Sequence, residues 1–210
     1  PELLGKVFEN LLASYNPETQ QTARKQTGSF YTPREIVQYM VDESLVTHLK
    51  RTVGNELESE YRKLLDYADN EILLTEQQKL AIMQSLYNCK ILDPACGSGA
   101  FPVGVLQQMV HILKQIDPDN SRWKNMLLQF AIDETSEAYL NSTAEERREA
   151  VADIERAFDE NVNYPDYARK LHLIENCIYG VDIQPIAIQI SKLRFFISLV
   201  IDQKPVSYTH

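Results

Sequence analysis

The chain has 210 residues, and its 30 acidic and 21 basic side chains give a formal net charge of -9 at pH 7. This length is enough for one domain with a sizeable core. No apolar run is long enough to cross a bilayer and no export signal is present, so we expect a cytoplasmic protein. The acidic balance provides no overall attraction to nucleic acid, which argues against a free-standing DNA-binding module.

The cysteines and histidines form no metal-binding pattern. Cys89, Cys96 and Cys177 are an odd number without a C-x-x-C pair, so neither a disulfide framework nor a structural zinc site is expected. The four histidines lack the spacing of metal ligands. We therefore predict no metal site, and we interpret Cys96 as an incidental small residue rather than an activated thiol.

The amino-terminal part is predicted to be helical around one polar loop. Apolar residues recur at helical spacing over 3–12, and the polar stretch 16–32 predicts a loop. Thr32 and Glu35 form a capping-box pattern around Pro33, which predicts a helix that begins at that proline. The apolar face of this helix would contain Ile36, Val37, Met40, Val41, Leu45 and Leu49. The chain starts without methionine, so we expect it to be part of a longer protein.

The middle of the chain predicts a helix, a short strand and a second helix. Thr75 and Gln78 form another capping-box pattern, and the helix that they begin should end near Asn88. Residues 90–93 predict a short buried strand, which runs into a glycine-rich turn and then a helix over 100–116.

The remaining residues are predicted to be mostly helical. Residues 121–176 are expected to be helical throughout, a second short strand is predicted over 177–183, and Pro185 begins a last helix. Strand, glycine turn and helix, followed by strand, acid and helix, is the order of a nucleotide-binding α/β sheet. On this interpretation the helical stretches between these parts are insertions.

The segment DPACGSGAF at 93–101 has the chemistry of a ligand-binding turn. Its glycines let the backbone approach a ligand closely, and the following helix presents its N–H groups and positive dipole end. Asp93 adds an acceptor for a cationic or hydroxyl-bearing group. Pro102 stands where a dinucleotide fingerprint needs glycine, and Val105 stands where a P-loop needs lysine, so both of those sites are excluded. The alternative is an ordinary tight strand-to-helix turn.

Two further segments indicate the walls of a pocket. In YGVDI at 179–183, Asp182 is placed to hold a ribose diol and Ile183 to pack on an adenine face. Taken alone, Asp182 is more simply a turn or capping residue, but its pairing with the glycine turn favours the ligand-binding interpretation. In GSFYTP at 28–33, the aromatic pair would close one wall, and the alternative is a hydrophobic staple around the capping box.

Together these three segments resemble the amino-terminal half of an adenine-specific DNA methyltransferase. The resemblance is to the group in which motif X comes first, as in fused type IIS (IIG) restriction–modification enzymes and related phage-defence methylases. GSFYTP is similar to motif X and DPACGSGAF to motif I. YGVDI, continued by QPIA at 184–187 and KLR at 192–194, is similar to motif II with its helix. The resemblance covers residues 1–54, 88–110 and 176–202. It implies an α/β fold with a Rossmann-like core that binds S-adenosylmethionine (SAM), incomplete in this chain, with a helical amino-terminal region and helical insertions.

The resemblance also implies a role for the residues of this site. Tyr31 and Thr32 would line the methionine end of SAM, and Asp93 would face its ammonium group. Asp182 would hold the ribose hydroxyls, Ile183 would touch the adenine, and the loop glycines would let the backbone pass under the cofactor. The implied cofactor-binding residues are Tyr31, Thr32, Asp93, Ala95, Gly97, Gly99, Phe101, Asp182 and Ile183.

A catalytic element of the family is missing from the sequence. The family flips the target base and holds it with an (Asn/Asp)-Pro-Pro-(Tyr/Phe) motif, and no such tetrapeptide occurs in this chain. We therefore assign no catalytic residue, and we predict that this chain binds SAM at best weakly and methylates nothing by itself. The full enzyme would act on double-stranded DNA and would not bind a membrane. The alternatives are a methyltransferase of RNA or protein, and a non-catalytic helical interaction module with a degenerate pocket.

The resemblance and the element order predict five regions and one charged surface. The regions are a helical part with motif X over 1–54, a helical insertion over 55–88, the first strand, loop and helix over 89–118, an acidic helical insertion over 119–176, and the second strand and helix over 177–210. Between 133 and 160 there are ten acids and three arginines, a local balance of -7. Because like charge repels a phosphate surface, we predict that this insertion faces away from DNA.

Overall fold

The computed structural model describes residues 15–16, 21–22, 32–137 and 144–204. Strands β1 (Tyr15–Asn16) and β2 (Gln21–Thr22) pair antiparallel, with Tyr15 opposite Thr22. The sequence predicts only a loop here, because a two-residue strand is too short to show an alternating pattern. The helix expected over 3–12 lies outside the described residues.

Eight α-helices and one parallel strand pair make up the rest of the described chain. The helices are α1 (Arg34–Thr52), α2 (Glu58–Leu65), α3 (Glu76–Tyr87), α4 (Ala100–Ile116), α5 (Ser121–Glu137), α6 (Ala144–Ala157), α7 (Asp166–Asn176) and α8 (Pro185–Val200). A single 3-10 turn, Asn55–Leu57, leads into α2. Strand β3 (Ile91–Asp93) follows α3, and strand β4 (Ile178–Gly180) follows α7. A search of the described helices finds none that is both long and apolar enough to cross a membrane.

The two predicted capping boxes have different outcomes. At α3 the prediction is confirmed: Gln78 N–H donates to the Thr75 hydroxyl (3.2 Å), and Thr75 N–H donates to the Gln78 side chain (2.8 Å). At α1 the prediction is wrong, because the helix begins at Arg34 and its N-cap residue is Pro33, which has no side-chain hydrogen-bonding group. The Pro33 carbonyl accepts the first helical N–H groups instead.

The apolar face of α1 is narrower than the sequence predicts. Val37, Val41, Leu45 and Leu49 are buried, as expected. The other two predicted core residues, Ile36 and Met40, are each 49% exposed. They lie one position before Val37 and Val41, so they point about 100° away from the buried stripe.

One hydrophobic core joins the predicted insertions to the rest of the described chain. Leu49 of α1, Met83 of α3, Leu106 of α4 and Trp123 of α5 are fully buried in the same cluster. The expectation of continuous helix over 121–176 is wrong, since α6 ends at Ala157 and α7 begins at Asp166. A proline at 165 disfavours helix at the preceding residue, and the backbone there pairs with the segment after α8, where Tyr164 N–H donates to the Asp202 carbonyl (2.6 Å).

Strands β3 and β4 are the only parallel pair in the described residues. Ile91 lies opposite Ile178, and Asp93 lies opposite Gly180. The described chain therefore contains a small two-stranded sheet among helices, rather than a complete Rossmann-like sheet. The strand expected over 177–183 is shorter and ends at Gly180. The expectation that β3 is buried is also wrong, because Leu92 is 63% exposed.

Candidate functional site

The two parallel strands bring the glycine turn and the second acidic segment together. Val181 N–H donates to the Asp93 carbonyl (2.9 Å), and Cys96 N–H donates to the Val181 carbonyl (2.9 Å). Parallel strands present their carboxyl ends at one edge of a sheet, so the segments that follow β3 and β4 lie side by side. This is the juxtaposition that the sequence predicts.

Asp182 is hydrogen-bonded to the glycine turn. Its Oδ2 accepts the N–H of Gly97 (2.9 Å), and its Oδ1 accepts the N–H of Gln184 (2.7 Å). Each carboxylate oxygen can accept two hydrogen bonds, so each keeps one acceptor position for a ligand hydroxyl. The carboxylate thus fixes the loop and retains the capacity to bind a diol.

The two glycines of the turn have different structural roles. Gly97 (φ +53°) and Gly99 (φ +84°) both occupy the left-handed region that favours glycine. A Cβ added to Gly97 would meet no atom within 4 Å, so the loop faces open space there. A Cβ added to Gly99 would lie 2.4 Å from the hydroxyl oxygen of Ser191, so this glycine allows α8 to approach the loop.

Asp93 carries a carboxylate oxygen that no described residue binds. Its Oδ1 accepts the N–H of Ala95 (3.1 Å). Its Oδ2 is buried and has no hydrogen-bond partner among the described residues. A buried, unpartnered carboxylate oxygen costs free energy, which a cationic or N–H donor on a ligand would recover. The ammonium group of SAM is such a donor, so Asp93 fits the predicted cofactor.

A cavity of about 450 Å³ lies between α1, β3 and the start of α4. Asp93 and Phe101 are the predicted site residues that line it, whereas Asp182 and Ile183 lie outside its lining. Its other walls are mostly apolar and include Met40 of α1. An apolar cavity with a few convergent polar groups is typical of sites for small organic ligands.

The other predicted site residues lie at or beyond this edge of the sheet. Ile183 is 87% exposed, and Ala95 is exposed in the glycine turn. Thr32 is half-buried, and no contact between it and the glycine turn is among the described interactions. Tyr31 lies outside the described residues, so its predicted role at the methionine end of SAM stays a prediction.

Cys96 is a packing residue of this site. Burial raises the pKa of its thiol, and the negative charges of Asp93 and Asp182 raise it further. A Cβ added to Gly180 would lie 2.9 Å from its sulfur, so the thiol fills the space between the two strand ends. No group of histidine, cysteine, aspartate or glutamate side chains in the described part of the chain is arranged to hold a metal ion.

Two residues of α8 contribute to the loop, and the sequence analysis assigned a role to neither. Arg194 Nη1 donates to the Ser98 carbonyl (2.9 Å), and Ser191 packs against Gly99. The signal that could have revealed them is the polar series at positions 191, 194 and 198, spaced three and four apart within an otherwise apolar helix.

The comparisons with known proteins relate this chain to restriction–modification methyltransferases. A protein of Methanocaldococcus jannaschii, provisionally named a type II restriction enzyme and methyltransferase, is 26% identical to the chain over 212 residues. The match covers 95% of this chain and 14% of the length of that protein. No family model matches the chain, and no solved structure gives a significant match.

Proposed function

We propose that this chain is the SAM-binding part of a restriction–modification enzyme that methylates the exocyclic amino group of adenine in double-stranded DNA. The observation that carries the proposal is the buried Oδ2 of Asp93, which has no hydrogen-bond partner in the described part of the chain and lies beside a glycine turn held by Asp182. Similarity to a protein provisionally named a type II restriction enzyme and methyltransferase supports it. The choice of adenine and of DNA rests on the resemblance of the three motifs.

In this proposal each part of the site meets one part of the cofactor. Asp93 binds the ammonium group, the open face of Gly97 lets the loop pass close to the ligand, and Asp182 accepts the ribose hydroxyls. Ile183, which is 87% exposed, covers the adenine ring. SAM itself supplies an electrophilic methyl group. The chain lacks the Pro-Pro-aromatic motif that positions a flipped base, so we expect methyl transfer to need a segment outside these 210 residues.

Equilibrium dialysis with methyl-labelled SAM tests the proposal. We expect saturable binding of SAM to the chain. In Asp93→Asn the affinity should be about tenfold or more weaker, because a charge-assisted hydrogen bond is lost. Asp69→Asn removes an exposed acid elsewhere and should bind as the unsubstituted chain does. Equal binding by the Asp93 and Asp69 variants would refute the assigned role of Asp93.

The same labelled cofactor tests the expected lack of catalysis. Incubation of the 210-residue chain with SAM and duplex DNA should transfer no label to the DNA, because the sequence contains no Pro-Pro-aromatic motif to hold a flipped base. Label incorporated into adenine by this chain alone would contradict that expectation. Label incorporated into RNA or protein by a longer form, with none in DNA, would favour another class of acceptor.

A further inference from the structure

We propose that Arg194 is a positioning residue that locks one peptide group of the cofactor loop, an inference that rests on the proposed function. Arg194 lies on the inner face of α8 and is only 7% exposed. Its Nη1 donates to the carbonyl of Ser98, at 2.9 Å, in the middle of the turn between the two loop glycines. A hydrogen bond from a guanidinium group is charge-assisted and stronger than one between neutral groups.

The conformation of the loop explains why this peptide needs to be held. Ser98 is flanked by Gly97 at φ +53° and Gly99 at φ +84°. Glycine adopts positive and negative φ about equally well, so the peptide group that joins Ser98 to Gly99 can turn over at small cost. Arg194 holds the carbonyl end of this peptide, and the Cys96 carbonyl accepts its N–H end at 2.8 Å. Together these two bonds select one orientation.

The β4–α8 unit contacts three consecutive loop residues. Asp182 accepts the N–H of Gly97, Arg194 donates to the carbonyl of Ser98, and Ser191 packs against Gly99. Ser191 and Arg194 are three residues apart, so they lie on the same face of the helix. The segment that supplies the predicted ribose-binding acid therefore also sets the shape of the loop.

Loss of the guanidinium group should loosen the loop without removing any predicted cofactor contact. A turned Ser98–Gly99 peptide would take the Gly99 N–H away from Cys96 and would change the surface that the loop presents beside the open face of Gly97. The cofactor would then have to select the correct loop orientation from a mixture, which lowers its apparent affinity by the fraction of the competent form.

The test compares Arg194→Met, which keeps much of the length and removes every donor, with Arg194→Lys, which keeps the charge and one donor group. Lys192→Met is the matched control, because it removes a neighbouring positive charge on the exposed side of α8. Two properties are measured in each variant: amide hydrogen exchange at Gly99 and at Met109 in α4, and equilibrium binding of labelled SAM.

In Arg194→Met we expect the exchange rate of the Gly99 amide to rise about tenfold or more. The exchange rate at Met109 should change much less, since the loss of structure is local. SAM binding should weaken by about tenfold, the equivalent of one lost charge-assisted bond. Arg194→Lys should recover part of both properties, and it provides the comparison if the methionine variant does not fold. Lys192→Met should match the unsubstituted chain in both.

Three outcomes would overturn the inference: an unchanged Gly99 exchange rate in both Arg194 variants, exchange that rises equally at Gly99 and Met109, or unchanged SAM binding despite a loosened loop. Failure of the proposed function looks different. In that case the unsubstituted chain binds no SAM at all, while the exchange at Gly99 still shows whether Arg194 holds the loop.

Discussion

Asp93 and Asp182 are both acids at strand ends, but the protein satisfies them to different degrees. Both oxygens of Asp182 accept backbone N–H groups, from Gly97 and Gln184. Asp93 has one oxygen bound to the Ala95 N–H and one that no described residue binds. Both oxygens of Asp182 are therefore already used by the folded structure, whereas one oxygen of Asp93 is left for a ligand.

This difference predicts unequal effects on stability. Asp182→Ala leaves two N–H groups without their acceptor and should lower the free energy of unfolding by about 1–3 kcal/mol. Asp93→Asn keeps an oxygen for the Ala95 N–H and removes a charge with no partner, so its cost should be under about 1 kcal/mol. Urea denaturation of both variants checks this, and an equal loss in the two would contradict it.

His172 is a buried titratable residue outside the site. Its ring stacks on Tyr87 with centroids 4.5 Å apart and meets Trp123 edge-on at 5.4 Å. Burial lowers the pKa of His172 to about 4. Because this pKa lies well below 7, the ring is neutral in the folded chain at physiological pH.

The lowered pKa of His172 makes stability fall in weak acid. Between its usual pKa of about 6.5 and the folded value of about 4, the unfolded chain binds a proton that the folded chain excludes. The contribution of His172 to the free energy of unfolding amounts to about 3 kcal/mol. It is complete above pH 6.5 and is lost as the pH falls towards 4. Urea denaturation from pH 7.5 to pH 4.5 measures it.

His172→Phe is the control, because it keeps an aromatic ring on Tyr87 and removes the titration. The difference in unfolding free energy between the two proteins isolates the effect of His172 from that of Asp42 and Asp117. Burial raises the pKa values of these two carboxyl groups, so their contributions to stability change with pH in the opposite direction. If both proteins lose the same stability over this range, His172 is not the cause.

At the scale of single elements, the starts of α1 and α3 differ although their sequences look alike. Thr75 has both bonds of a capping box, whereas α1 begins after Pro33 without a side-chain cap. Thr75→Ala should therefore cost about 1 kcal/mol of unfolding free energy, and Thr32→Ala should cost much less. Thermal denaturation of the pair checks this, and a larger loss for Thr32→Ala would mean that Thr32 does cap α1.

Helix limits were predictable from the sequence where the stop signals are strong. The prediction of helix over 100–116 is confirmed, because Asp117 and Pro118 end it, and the helix that Pro185 begins is confirmed as α8. The meeting of Asp182 with the glycine turn was also predictable, since parallel strand ends share one edge of a sheet.

Which face of a helix is buried was less predictable. Periodicity shows that a stripe exists, but burial depends on the partner that packs there. On α8 the buried face carries the small and polar residues Ala187, Ser191, Arg194 and Ser198, of which Ser191 and Arg194 contact the loop. Large apolar residues such as Phe196, at 61% exposed, point outward. The loop contacts of Arg194 depend on the folded turn, so the residue type alone could not reveal them.

At the scale of the whole molecule, a buried ion pair ties the predicted acidic insertion to the central helices. Arg169 of α7 is fully buried and pairs with the Asp117 carboxylate after α4 at 3.9 Å. It also donates to the Asp117 carbonyl and pairs with Asp166 of its own helix at 3.0 Å. The Asp117 carboxylate in turn accepts the N–H of Trp123 at the start of α5. Three helices therefore meet at one guanidinium group.

Removal of this group should destabilise the whole described core. Arg169→Met leaves Asp117 buried without its cation and should cost about 3–5 kcal/mol, whereas Arg51→Met removes an exposed charge and should cost under about 0.5 kcal/mol. Trp123 is the single tryptophan, so its fluorescence reports on α5 while circular dichroism reports on all helices. The two signals should change together in urea; separate transitions would show that the insertion unfolds by itself.

The proposed function requires that this chain binds SAM at the edge of the sheet where β3 and β4 end. A titration of the ¹⁵N-labelled chain with SAM, followed by ¹H–¹⁵N spectra, tests it most directly, because weak binding is visible and each shifted amide locates the ligand. We expect saturable shifts that are largest at Gly97, Ser98 and Gly99 and that weaken in Asp93→Asn. No shifts in the folded chain, or shifts confined to residues away from this edge, would contradict it.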